Sequence, residues 1–224
     1  MKQHHGLTSH GFARGHSSRS YVACLGLGAA ALGCGVSHGE GEVSSDHLYA
    51  ADCIDGPFDL RPDYFASNPE LDTQLITLQH GDRLHDLSDG VLISVYQVSN
   101  IIDEHLGQAV EVALPPGVTP PGHAPSEQEL PFAALTLYLN DSCHEQDVSL
   151  QAISGTITFD ALFSGDLSDR KKSERLIEAQ FDVVVADPRL LPADGSDPDP
   201  SLLSEVQGSF RFYFRRGPTA QPFP

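Results

Sequence analysis

The sequence predicts an all-β fold, an antiparallel β-sandwich of about seven or eight strands, with a small β-barrel as the alternative. Three observations predict it. Apolar and polar residues alternate with a period of two in several runs, no long segment carries the 3.6-residue periodicity of an amphipathic helix, and loops rich in Gly and Pro separate the runs. Strands with one apolar face bury it most economically against a second sheet. Loops of uneven length suit Greek-key connections better than an up-and-down barrel.

Taken in order, residues 35–46 contain Gly, Ser, His and acidic residues with only two Val, which reads as a solvated spacer. Residues 48–68 read as irregular, with Asp55-Gly56-Pro57 and Arg61-Pro62 as turn signals. Residues 73–79 and 91–98 read as strands on either side of a turn region, 101–106 as a single helical turn, and 109–114 as a further short strand. Five prolines between positions 115 and 125 make that stretch a loop, because proline lacks the N–H that a ladder needs.

The C-terminal half carries the clearest signal. Leu135, Leu137 and Leu139 alternate with Thr136 and Tyr138, and Ile153, Gly155, Ile157 and Phe159 alternate with Ser154, Thr156 and Thr158. Ile177, Ala179, Phe181, Val183 and Val185 alternate with Glu178, Gln180 and Asp182, and Val206, Gly208, Phe210, Phe212 and Phe214 with Gln207, Ser209, Arg211 and Tyr213. Period two places each set on one face of a strand. The last two runs are expected to pair as a long hairpin, and all four to form a meander.

The start of the chain follows other rules. Its Lys and Arg residues are Lys2, Arg14 and Arg19, the first acid is Glu40, and residues 21–33 form an apolar run. Thirteen residues are too short to cross about 30 Å of hydrocarbon as a helix, which takes about 20, so the run reads as the core of an export signal. It ends at Ala31-Leu32-Gly33-Cys34, which resembles the processing site of bacterial lipoproteins. Ala31 stands where that family most often has Leu, and the segment before the apolar run is unusually long and rich in His and Ser.

The resemblance implies removal of residues 1–33 and lipidation of Cys34; composition then gives a flexible tether over 34–48 and a single domain over 49–224. It also implies a cell-envelope location, with Gly35 after the cysteine favouring the outer membrane. Ordinary signal cleavage near residues 29–31, giving a secreted or periplasmic protein, is the alternative.

Of the four cysteines, Cys24 lies in the leader and Cys34 would carry lipid, which leaves Cys53 and Cys143 for the folded part. In an oxidising compartment two such thiols are a natural disulfide pair. The chain has a formal charge of −18; the leader contributes +3, so the part from Cys34 onward carries −21. Such a field opposes binding to nucleic acid and to anionic membrane surfaces.

The motifs of nucleophile elbows, phosphate loops, zinc proteases and dinucleotide sites are missing from the sequence. The function expected is therefore a noncatalytic binding or structural β-domain without cofactor, held at the membrane through its lipid, its protein or small-molecule partner undefined. The rival is a periplasmic hydrolase or metal-binding protein. It would use His80, Asp82, His85, Asp86 and Asp89, since imidazole and carboxylate together suit zinc or calcium. Yet His, Asp and Gly between two strands are also ordinary turn residues. Residues 103–105, 143–145 and 194–199 are thinner versions of the same pattern.

Overall fold

The computed structural model describes residues 39–81, 87–116, 130–143, 146–166, 168, 171–192 and 196–215, all within the compact unit Gly33–Pro224. Ten strands form one antiparallel sheet: β1 (Gly39–Ala50), β2 (Ile54–Leu60), β3 (Tyr64–Glu70), β4 (Thr73–Gln79), β5 (Asp89–Tyr96), β6 (Ala109–Glu111), β7 (Ala133–Leu139), β8 (Ser149–Ala161), β9 (Leu176–Ala186) and β10 (Ser204–Tyr213). Nine of them follow the spatial order β2-β1-β10-β9-β8-β7-β5-β4-β3, and β6 pairs with β8 off this path.

The all-β expectation holds. The ladder, however, is continuous and curls into a half-barrel, so the two separate sheets of the expected sandwich are not seen. The cause lies at its two ends. Strands β2 and β3 are the outermost of nine, and eight interstrand steps of about 4.8 Å would hold them about 38 Å apart in a flat sheet. Only residues 61–63 join them, a stretch that reaches about 14 Å from Leu60 to Tyr64 even when fully extended. The sheet must therefore curl until its ends meet.

Side chains mark the meeting point. Phe65 of β3 is 2% exposed, and its ring lies 5.6 Å from that of Phe212 in β10. Beneath it run Gly39 and Gly41 of β1, where an added Cβ would stand 2.9 and 3.3 Å from the Phe65 ring. Glycine is what lets the backbone of one end come this close to an aromatic ring from the other. Arg61 in the link pairs with Glu42 of β1 and lies 3.0 Å from Asp59, both exposed contacts of the kind that contribute little to stability.

Both outer strands contain proline, Pro57 in β2 and Pro69 in β3. Proline is tolerated at a sheet edge because no ladder hydrogen bond is lost on the open side.

The predicted meander is present, as β7, β8, β9 and β10 pair in succession. The long hairpin runs from Ser204↔Val185 to Tyr213↔Leu176. Ile177, Phe181, Val183, Val185, Val206, Phe210 and Phe212 face the core, each at most 4% exposed. In β8 register shifts flank Ile153 and Asp160, so Ala152 rather than Ile153 joins the core below the first of them. The strand expected over 73–79 is β4 to the residue, while β5 stops at Tyr96 because Gln97 turns left-handed with φ 54°. Val98–Asn100 then forms a helical turn that continues as the wider Ile101–His105, with Val98 and Ile101 buried against the core.

Two expectations are corrected. The tether over 34–48 fails from Gly39 onward, because this stretch is β1, hydrogen-bonded to β10 and β2, with Val43 and Leu48 fully buried. The irregular segment 48–68 is mostly the end of β1, all of β2 and most of β3. Residues 1–38, with the predicted leader, Cys34 and the start of the tether, lie outside the described residues.

If the ends of the sheet are held by the Phe65 contact, Phe65→Ala should lower stability by about 3–4 kcal/mol through lost burial and a residual cavity. Urea denaturation followed by circular dichroism measures this. An unchanged midpoint would show that the closure rests on something else.

Candidate functional site

One end of the half-barrel is organised around a disulfide. Cys53 ends the turn after β1, its N–H donating to the Ala50 carbonyl at 3.0 Å, and Cys143 ends the turn after β7, donating to Leu139 at 2.7 Å. Their sulfurs are bonded with Cα atoms 5.6 Å apart, within the range a bridge requires. Strands β1 and β7 are four steps apart along the ladder, so the bond ties together parts of the curled sheet that share no backbone hydrogen bonds. It closes a loop with a sequence separation of 90, a constraint worth about 4 kcal/mol in chain-entropy terms.

The turn that presents Cys143 is held by Asp89, the first residue of β5 and one of the candidate metal ligands. Its Oδ1 accepts from the backbone N–H groups of Asp141 and Ser142 at 2.9 and 3.0 Å, and its Oδ2 accepts from the Ser142 hydroxyl. Both carboxylate oxygens are thus committed to structure at a site only 9% exposed.

His80 is largely exposed, and its Nδ1 lies 3.9 Å from Oδ1 of Asp63, which also accepts from the Gly81 N–H at 2.5 Å. The backbone N–H of His80 donates to the Asp89 carbonyl, continuing the β4–β5 ladder. Asp82, His85 and Asp86 lie outside the described residues, as do residues 144–145 and 193–195 of the thinner clusters. Among the described residues, no group of three or more His, Cys, Asp or Glu is arranged to hold a metal ion. His105 packs edge-on against Phe132 at 4.9 Å, and Asp199 caps a short 3-10 turn through the Ser201 N–H at 2.9 Å.

Beside Asp89, the Tyr138 hydroxyl donates to Gln79 Oε1 at 3.1 Å, and Gln79 in turn donates to the Gly81 carbonyl at 2.9 Å. Gly90 makes room for this phenol, since a Cβ there would sit 2.3 Å from its oxygen. Burial first, then the neighbouring Tyr64 and Asp89, push the Tyr138 pKa far above that of a free phenol. At neutral pH the phenol therefore stays protonated and serves as a hydrogen-bond donor to Gln79.

A second feature is the outer face of β8, β9, β10 and β1. Cross-strand register lines up Thr156, Asp182, Gln207 and Ser44 in one row, and Thr158, Gln180, Ser209 and Glu42 in the next. An open groove of about 500 Å³ runs over these rows. Hydroxyls, amides and carboxylates recur at the strand spacing of about 4.8 Å, an array that can hydrogen-bond a flat polar ligand.

The outward positions on β8, β9 and β10 were predictable from alternation. Glu42 and Ser44 were missed because the first part of β1 reads as a spacer; from Gly39 to His47 only Val43 interrupts its polar run. Searches against protein-family models, curated proteins and solved structures find no match.

Two predictions follow from the disulfide end. Peptide mapping of protein alkylated after denaturation without reductant should find Cys53 and Cys143 unmodified; alkylation of both would refute the bond. Asp89→Ala, which strands two backbone N–H groups and a hydroxyl, should cost about 2–3 kcal/mol in urea denaturation.

Proposed function

We propose that this chain is a lipid-anchored bacterial envelope protein, its β-domain acting by noncatalytic binding or scaffolding. The observation that carries the reading is the sequence around Cys34. A basic, acid-free segment leads into an apolar run too short to span a bilayer, and the run ends at Ala31-Leu32-Gly33-Cys34. The Cys53–Cys143 bridge supports an oxidising compartment, where such bonds persist. Gly35 after the acylated cysteine favours the outer membrane.

The polar rows on β8, β9, β10 and β1 offer the binding domain a hydrogen-bonding surface. Their acidic character, within a chain of −21 from Cys34 onward, favours neutral or cationic polar ligands over nucleic acid. In the rival metal reading Asp89 would have to give up three hydrogen bonds to become a ligand. Noncatalytic binding makes no such demand.

Cys34→Ala should move the protein from the membrane to the soluble fraction of its host, and mass spectrometry of the wild type should show a diacyl- or triacylated cysteine as the first residue. An intact, unmodified N-terminus still carrying the first thirty residues would overturn the proposal.

A further inference from the structure

The two-residue turn between β3 and β4 holds an unusual residue. Leu71 is 98% exposed and adopts φ 55°, a positive value that hairpin turns usually give to glycine or asparagine and that an apolar side chain rarely adopts. A leucine that is both strained and fully in water contributes nothing to folding. Its partner in the turn, Asp72, is directed away to the helical turn, accepting from the Ser99 N–H at 2.8 Å, so the tip itself presents leucine.

Leu71 shares its end of the half-barrel with two more exposed leucines. Leu130, 49% exposed, accepts a hydrogen bond from Gln97 just beyond β5, and Leu106, 40% exposed, precedes Gly107, whose N–H donates to Phe159 near the end of β8.

The direction of the strands relates this end to Cys34. Strand β3 runs antiparallel to β1, since an odd number of antiparallel steps separates them on the ladder. The chain therefore enters β1 at Gly39 from the end toward which β3 runs. Phe65 lies beside Gly39, and the six residues from there to Leu71 advance about 20 Å. From Gly39 back to Cys34 are five peptide steps, a reach of about 18 Å at most. The chain from Gly39 to Cys34 is therefore long enough for an acyl group on Cys34 to reach about as far as the Leu71 tip.

We propose that this end of the domain rests on the membrane, with Leu71 inserted at the boundary between headgroups and acyl chains and Leu106 and Leu130 beside it. The inference deepens the lipid-anchor reading and rests on it. The surface is a zwitterionic phospholipid one, because a domain this acidic is repelled by anionic headgroups. Single leucines bind membranes weakly, but the tether makes their insertion intramolecular, so a small favourable transfer is sufficient to orient the domain.

The chain contains no tryptophan, so one introduced residue reports alone. Full-length protein carrying Leu71→Trp, purified with its lipid and reconstituted in phosphatidylcholine vesicles, should show blue-shifted emission that brominated lipid quenches about twofold, as expected for insertion at the acyl boundary. Leu106→Trp should be quenched as well. Leu190→Trp, in the 3-10 turn after β9 at the opposite end, should show no quenching by brominated lipid. If the acylated protein binds vesicles but Leu71→Trp and Leu106→Trp are unquenched, or all three are quenched alike, the orientation is wrong and the anchor stands. If purified protein carries no acyl group and stays in solution, the anchor reading fails and the docking falls with it.

Discussion

Three residues decide the shape of this domain. Residues 61–63 join the two outermost strands of a nine-strand path, and a covalent link of about 14 Å cannot span the width of a flat sheet of that size. Curling is thus imposed by connectivity before any side chain is considered. Side chains then decide how well the ends fit. Gly39 and Gly41 leave the space that Phe65 fills, and Phe212 backs the contact from β10. Because β2 and β3 run in the same direction on either side of the link, no hairpin could replace it. Pro62 in the link and Pro57 and Pro69 in the flanking strands sit where a missing N–H costs least.

The same seam explains which parts of the fold were readable in the sequence. Strands β9 and β10 lie near the middle of the ladder, and each inward position is filled by a side chain that must be apolar, so period two stands out. Strand β1 lies at the seam. Its inward positions there are Gly39, Gly41 and Val43, followed by buried Ser45, because rings from other strands supply the bulk. A strand whose apolar face is lent to it by its neighbours has the composition of a linker. The turn signal Asp55-Gly56-Pro57 misled for a related reason, since an edge strand tolerates the residues that interior strands exclude. The disulfide was readable from the cysteine count together with the oxidising compartment that the leader led us to expect. The role of Asp89 was not, because a carboxylate that caps a distant turn and one that binds a metal have the same local sequence.

Closure at the seam leaves the rest of the curled sheet free to splay, and the disulfide end opposes this. Cys53 follows β1 and Cys143 follows β7, so the bond fixes the distance between strands four steps apart, while Asp89 shapes the turn that delivers Cys143 to it. A covalent crosslink and a carboxylate bonded to backbone N–H groups form a rigid unit at one end. The opposite end is built from longer connections, among them the helical turns at 98–105 and the stretch between β8 and β9, where the rings of Phe163 and Phe214 stack at 4.4 Å. Recognition features are more readily carried by such connections than by a stapled end.

How a β-domain of this kind meets lipid follows from the polarity of its faces. A barrel that crosses a membrane turns apolar side chains outward and polar ones toward its lumen. Here the order is reversed: Phe159, Phe181, Val183, Val206, Phe210 and Phe212 are buried inside, while Thr158, Gln180, Asp182, Gln207 and Glu42 face outward over the same strands. Putting that face into hydrocarbon would strip water from carboxylates and amides at several kcal/mol for each unpaired group. The flank of the sheet is therefore a surface for water and polar ligands, and the proposed lipid contact is confined to an end. Of the two ends, the one that the chain leaves toward Cys34 is also the one that holds a fully exposed leucine in a conformation suited to glycine. Under the proposed lipid anchoring, anchor and tip act on the same membrane, and the polar rows on the flank stand clear of it.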